Sequence, residues 1–245
     1  MAEAKTESDT GSHPGQLDPA VLRDLWIVIP AFNEQGKIGE VVAELRERYA
    51  NVVVVDDGSS DATGARALRA GAVVLRHSLN RGQGAALQTG LRYGLLRGAR
   101  YLVTFDADGQ HPVETLPRLL LPVLKGEAEI ALGSRFLPGA GGIPRSRRLL
   151  LGGAVVFTRL FSGVRLTDAH NGLRAFSRRA AAGIDIQLDR MAHASELIDQ
   201  IWKSGLAFTE VPVEVRYTEY SRAKGQRASA AIRIVFEYLV GRVLR

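Results

Sequence analysis

The sequence predicts an α/β fold with a mostly parallel sheet flanked by helices. Three observations carry it. Short β-branched runs alternate with segments of helical length, the run from Val52 to Val55 is apolar without interruption as in a strand buried on both faces, and carboxylates recur where such runs stop. Taken in order, LWIVIP (Leu25 to Pro30) is the first strand and NVVVVD (Asn51 to Asp56) the second. AVVLR (Ala72 to Arg76), YLVTFD (Tyr101 to Asp106) and EIALGS (Glu129 to Ser134) complete a βαβ array. In open α/β sheets ligands bind beyond the carboxyl ends of the strands. That rule gathers Asn33 and Glu34 after the first strand, Asp56 and Asp57 at the end of the second, and Asp106 and Asp108 at the end of the fourth into one expected cleft. The Gly- and Pro-rich stretch from Leu137 to Pro144 is read as a loop beside it.

The chain has 245 residues, 46% hydrophobic and 24% charged, which suits one large globular domain and excludes disorder for the bulk. The absence of cysteine excludes disulfides, zinc-thiolate sites and thiol nucleophiles together. The polar N-terminus lacks an apolar core of signal-peptide length, so residues 1–22 are read as a flexible tail and the protein as cytoplasmic. No run approaches the roughly 18 apolar residues of a spanning helix.

A net charge of +6 points to an anionic partner, and its distribution narrows the choice. Between Ile130 and Thr167 stand six arginines and no acid. From Tyr220 onward Arg222, Lys224, Arg227, Arg233, Arg242 and Arg245 face only Glu237. The residues between them are apolar rather than the stacking aromatics of a nucleic-acid groove, so nucleic acid is not expected. Two readings stay open for these arginine-bracketed segments: amphipathic helices lying in a bilayer interface, or ordinary core helices with a solvated edge.

The stretch YLVTFDADGQHP is the most loaded chemically. Residues two apart in a regular strand point to opposite faces, so Asp106 and Asp108 converge on one cation only if the strand gives way to a turn, for which Gly109 is suited. Hard oxygen ligands suit Mg2+ or Mn2+, and Mg2+ takes one or two carboxylates with substrate phosphates, which implies a diphosphate substrate. The competing reading is an acidic turn capping a helix from about Val113. For Asp56, Asp57, Ser59 and Ser60 the competing reading is likewise a capped turn before a helix near Asp61.

The combination PAFNE, VVDDGSSD, NRGQG, FDADGQHP, GSRF, TDAHNGLRAF and EVPVEVRYTEY, from about Leu25 to Gly225, resembles family 2 glycosyltransferases of the polyprenyl-phosphate branch, to which dolichyl-phosphate mannose synthases belong. The resemblance implies the A-type glycosyltransferase fold (GT-A), a catalytic domain over residues 23–226, and inverting transfer from a nucleotide-sugar donor. It also implies that Pro30, Phe32, Glu34 and Asp57 contact the nucleotide, with GDP and UDP both open. Asp106, Ala107 and Asp108 would meet the donor, and Asp106, Asp108 and Gln110 the metal. Gln83 stands where many relatives carry lysine. Arg135 matches the arginine associated with an acceptor phosphate, and Arg222 and Lys224 match basic residues of a loop near donor or acceptor phosphates. Asp168, Asn171 and Arg174 match a segment that shapes the pocket, and His111 is read as a local structural contact.

The expected function is transfer of a sugar to a polyprenyl phosphate at the cytoplasmic membrane face, with residues 227–245 as a basic amphipathic helix for peripheral attachment or with a separate membrane protein as receptor. A phosphate acceptor arrives largely ionised and needs no strong base. A saccharide-acceptor transferase is the nearer alternative and would need one, for which Glu196 is the candidate; the other reading of Glu196 is an exposed helix carboxylate. A non-catalytic sugar-nucleotide-binding protein is the remote alternative, opposed by an intact Asp106, Asp108 and Gln110.

Overall fold

In the computed structural model, residues 17–140, 166–168, 171–187 and 193–216 are described. The expectations for Arg222, Lys224, the helix over 227–245, the arginine-rich stretch from Arg145 to Arg165 and the end of the 137–144 loop lie outside them. The elements run α1 (Pro19–Asp24), β1 (Leu25–Ala31), α2 (Ile38–Arg46), β2 (Asn51–Asp56), α3 (Thr63–Arg69), β3 (Val73–Arg76), α4 (Gln83–Leu96) and β4 (Tyr101–Thr104). After these come α5 (Thr115–Leu124), β5 (Ile130–Ser134), β6 (Arg174–Ser177), α6 (Arg178–Gly183), α7 (His193–Ser204) and β7 (Phe208–Pro212). The expected tail boundary at residue 22 falls inside α1, because Pro19 at the first turn and the Asp18 cap start a helix there, and Leu17 and Leu22 pack against the core.

Seven strands form one sheet in the order β3-β2-β1-β4-β6-β5-β7. All neighbours are parallel except β6, which runs antiparallel to both β4 and β5. Alternate residues of each strand feed two cores. Leu25, Ile27, Ile29, Val52 and Val54 meet α2 and α5 on one face, while Trp26, Val28 and Val53 meet α4, α6 and α7 on the other. The buried Val52–Val55 run is therefore a strand covered on both sides. Helix α4 lies so close to the sheet that a Cβ at Gly94 would stand 2.7 Å from Leu102 Cδ2, and one at Gly90 would meet Val28 at still shorter range. Two glycines of low helix propensity thus permit the contact that seats α4, and with it the loop leading into it.

Strand β4 ends at Thr104, two residues before the first aspartate, although Phe105 still donates its amide to Val28 O at 2.9 Å. The chain then turns through Gly109 at a φ of 71°. Helix α5 begins at Thr115, two residues after the expected start. Because β2, β1 and β4 are adjacent, their carboxyl ends and the loops that follow stand side by side.

Candidate active site

The loop after β1 is fixed by its neighbour. The Asn33 amide donates to Ser59 Oγ (2.9 Å), its side-chain oxygen accepts from the Ser60 amide (3.0 Å), and the Glu34 amide donates to Thr63 Oγ1 (2.8 Å). Asn33 adopts a positive φ of 53°, the left-handed region that Asn tolerates better than most residues. Pro30 sits in β1 opposite Val55, and Phe32 is 44% exposed, an apolar ring left at the mouth of the cleft.

Asp57 follows β2 and is 2% exposed. Its Oδ1 is 2.7 Å from His77 Nδ1 and accepts the Arg81 amide at 3.0 Å, and its Oδ2 accepts the Gly82 amide at 2.6 Å. His77 Nε2 lies 3.0 Å from Thr89 Oγ1. The carboxylate therefore anchors the NRGQG loop and the start of α4, and His77 is its partner. Sequence reading gave no sign of that pairing, since the two residues are joined only by the β2 and β3 register. Asp56, buried beside it, accepts the Ser59 amide at 2.9 Å. The turn part of the capped-turn reading is thus met by Asp56, but the helix that follows has Ala62 at its N-cap with no side-chain cap, and Asp61 instead accepts the Thr63 amide at 2.9 Å.

Beyond β4 the carboxylates of Asp106 and Asp108 are held apart in character. His111 Nε2 is 3.2 Å from Asp106 Oδ2, so His111 is the structural contact expected of it, and its ring also meets Phe105 edge-on. Burial opposes ionisation of Asp106, but the hydrogen bond and charge of His111, with the charges of Arg174 and Arg135, outweigh it and hold the carboxyl below its ordinary value. Asp108 is pushed up to about 6, first by burial, then by the charge of Asp106, with a further contribution from Glu34. The Gln110 amide, at 3.0 Å from Asp108 Oδ1, pulls the other way. Glu34 and Asp108 are thus brought within electrostatic reach of each other, as the cleft expectation requires. Ala107 between the two aspartates is buried.

A pair of neighbouring carboxylates, one of them raised first by burial and then by the charge of the other, suits a divalent cation, which would relieve the repulsion. Among the described residues no three His, Asp or Glu side chains gather as a metal cluster. Asp106, Asp108 and the side-chain carbonyl of Gln110 would offer hard oxygen donors of the kind that suit Mg2+ or Mn2+, with the remaining positions left to phosphate and water.

Strand β6 brings a second group of residues to this place. Thr104 donates its hydroxyl to Gly172 O (2.6 Å), so residues 171–174 lie against the β4 end. A Cβ on Gly172 would collide with the Asp106 carboxylate. Arg174, 3% exposed, is lowered to about 10 by burial, against which Asp106 and Asp168 act. Its Nη1, Asn171 Nδ2 and His111 Nδ1 are buried without a hydrogen-bond partner among the described residues. Arg135, after β5, donates through Nε and Nη2 to Asp168 at 2.6 and 2.8 Å. Glu196 is 6% exposed on α7 and accepts the Gln187 amide at 3.1 Å. The reading of Glu196 as an exposed helix carboxylate is therefore corrected: it lies at the helix start, on the turn that faces the core.

The Glycosyl transferase family 2 model matches residues 26–184. The chain is 32% identical over 245 residues to UDP-N-acetylglucosamine--dolichyl-phosphate N-acetylglucosaminyltransferase of Methanococcus voltae, covering 90% of this chain and 98% of that protein. It is 34% identical over 233 residues to polyprenol monophosphomannose synthase of Mycolicibacterium smegmatis, covering 88% and 86%. Glucosyl-3-phosphoglycerate synthase from Mycobacterium tuberculosis, solved with Mn2+ and UDP-glucose, shares the fold at a TM-score of 0.71 and 22% identity, over 94% of this chain and 84% of that one. The GT-A architecture expected from the sequence is thereby met, and the chain belongs to glycosyltransferase family 2, in the branch that contains the polyprenyl-phosphate transferases.

Proposed function

We propose that this enzyme transfers a sugar from a GDP- or UDP-linked donor to a polyprenyl phosphate, with inversion, as a peripheral protein at the cytoplasmic face of the membrane. The observation that carries the acceptor class is the contrast between Arg135 and Glu196. Arg135 is a guanidinium held in a fixed plane beside the carboxylate pair, suited to phosphate. Glu196, the base a sugar hydroxyl would require, is buried and engaged with the Gln187 amide. The acceptors in the names of the two similar transferases support the same class.

In this reading Phe32 and Glu34 meet the nucleotide beside the loop that Asp57 anchors, and Asp106, Asp108 and Gln110 hold a Mg2+ or Mn2+ ion. That ion supplies positive charge against the donor diphosphate. An oxygen of the acceptor phosphate, already ionised, attacks the anomeric carbon from the face opposite the leaving group. The bond from that carbon to the nucleoside diphosphate breaks, its electron pair leaves with the diphosphate, and no proton need be removed. Arg135 orients the incoming phosphate, and Arg222 and Lys224 are proposed to add charge beside it. Attachment to the membrane surface, directly or through a small membrane protein, is supported by the basic C-terminal segment.

The testing experiment offers several nucleotide sugars with a short polyprenyl phosphate, with and without EDTA, and identifies products by mass spectrometry. A glycosyl phosphate lipid formed only with divalent metal is expected. Efficient transfer to a free sugar instead would replace this reading with the saccharide-acceptor one.

A further inference from the structure

The arginine proposed for the acceptor belongs to a connected set of side chains. Besides the two guanidinium bonds, the Arg135 backbone amide donates to Asp168 Oδ2 at 3.1 Å. Three donors of one residue converge on one carboxylate, so both the backbone and the guanidinium plane of Arg135 are fixed. Asp168 is buried and is itself held from behind. Its amide donates to Glu210 Oε1 at 3.1 Å, the Thr167 amide reaches both Glu210 oxygens at 2.9 Å, and the Thr167 hydroxyl donates to Oε1 at 2.8 Å. Ser134 Oγ is 2.6 Å from Thr167 Oγ1. Glu210 sits in β7 opposite Leu132 of β5, three residues before Arg135. The end of β5, residues 167–168 and β7 are thereby tied around one carboxylate.

We infer that Asp168 is a positioning residue for the acceptor phosphate: anchored by Glu210 through the backbone of residues 167–168, it holds Arg135 in the orientation that receives the phosphate. The inference rests on the acceptor role proposed for Arg135. An arginine already ordered by a carboxylate loses little further rotamer freedom when phosphate arrives. Arg174 interacts electrostatically with Asp106 and with Asp168, so a second guanidinium stands within electrostatic reach of the carboxylate that holds Arg135.

The test is a double-mutant cycle of Asp168→Asn and Arg135→Lys with farnesyl phosphate in detergent micelles as the acceptor probe, and with nucleoside diphosphate affinity measured by calorimetry. Asp168→Asn should raise KM for farnesyl phosphate about tenfold or more. The kcat at saturating acceptor and the nucleotide affinity should stay within about twofold. The double variant should be no worse than the more damaging single change, because both act through one contact. Glu210→Gln should move acceptor KM in the same direction by less. Additive losses, an unchanged acceptor KM, or nucleotide affinity falling in parallel overturn the inference. If Asp168→Asn does not fold, Glu210→Gln carries the comparison, and an unchanged acceptor KM there is equally decisive. A wild-type enzyme that uses no farnesyl phosphate removes the acceptor reading and this inference with it, whereas wild-type transfer without an acceptor-specific defect in the variants removes this inference alone.

Discussion

A Cβ at Gly172 would stand 2.5 Å from Oδ2 of Asp106 and closer still to Oδ1. The two residues meet backbone to carboxylate, with no room for a side chain between them. Gly172→Ala should therefore rotate the Asp106 carboxylate away. Because the obstructed atoms end a short mobile side chain, stability should fall by only about 1 kcal/mol, the low end of overpacking costs. Transfer should fall about 100-fold, as misplacement by an ångström commonly does. Thermal melts, transfer rates and Mn2+ titration would check it; unchanged transfer with wild-type metal affinity, or a full loss of folding, would contradict it.

Asp108→Asn should abolish transfer while leaving the metal-free protein as stable as wild type or slightly more so, since it removes the partner that Asp106 repels. Turnover near wild type, or wild-type activity indifferent to EDTA, would remove the metal role.

The pH dependence of stability follows from the same residue. Asp108 titrates at about 6 in the folded protein against an ordinary value of 3.8, so between those values the folded state binds more protons than the unfolded state. Its contribution therefore favours folding at low pH and is lost as pH rises through about 6. Melting temperatures of metal-free wild type should fall relative to those of Asp108→Asn as pH rises from 3.8 to about 6, and saturating Mg2+ or Mn2+ should reduce that loss. A pH difference between the two proteins of the opposite sign would refute the assignment.

Glu196→Gln should reduce transfer to polyprenyl phosphate by less than about tenfold, whereas loss of a general base costs about 10²–10⁴. Glutamine retains a carbonyl to accept the Gln187 amide, so folding should be little changed. Single-turnover rates distinguish the cases, and a loss of three orders would favour a hydroxyl acceptor.

Gly90→Ala in α4 should cost about 1–3 kcal/mol in chemical denaturation, because the added methyl meets Val28 in a packed layer. The folded fraction should retain ordinary acceptor KM, since the contact lies beneath the sheet's middle.

The parallel half of the fold was legible because β1, β2 and β4 announce themselves as apolar runs and the acids stand where those runs end. Asp106, Asp108 and Glu34 were found by that rule. What the sequence hid is reached through pairing rather than through pattern. The RAFS of β6 is four residues long and carries a buried arginine, so no apolar period marks it, and the antiparallel insertion beside β4 has no local signal. His77 and Glu210 likewise look like ordinary surface residues until the β2–β3 and β5–β7 registers bring them to Asp57 and to residues 167–168. Glu196 looked exposed because its helix is rich in polar residues, and only the packing of α7 against the sheet turns it inward.

The reversed direction of β6 also sets an order on synthesis. The loops after β1, β2 and β4 all lie before Val113, but Gly172, which abuts Asp106, comes some sixty residues later and the β7 clamp on Asp168 later again. A chain emerging from the ribosome can complete its early parallel strands while its later ones are still being made, and these distant pairings close last. The loops that carry Glu34, Asp57 and Asp108 can thus form before residues 167–174 are available to close against them.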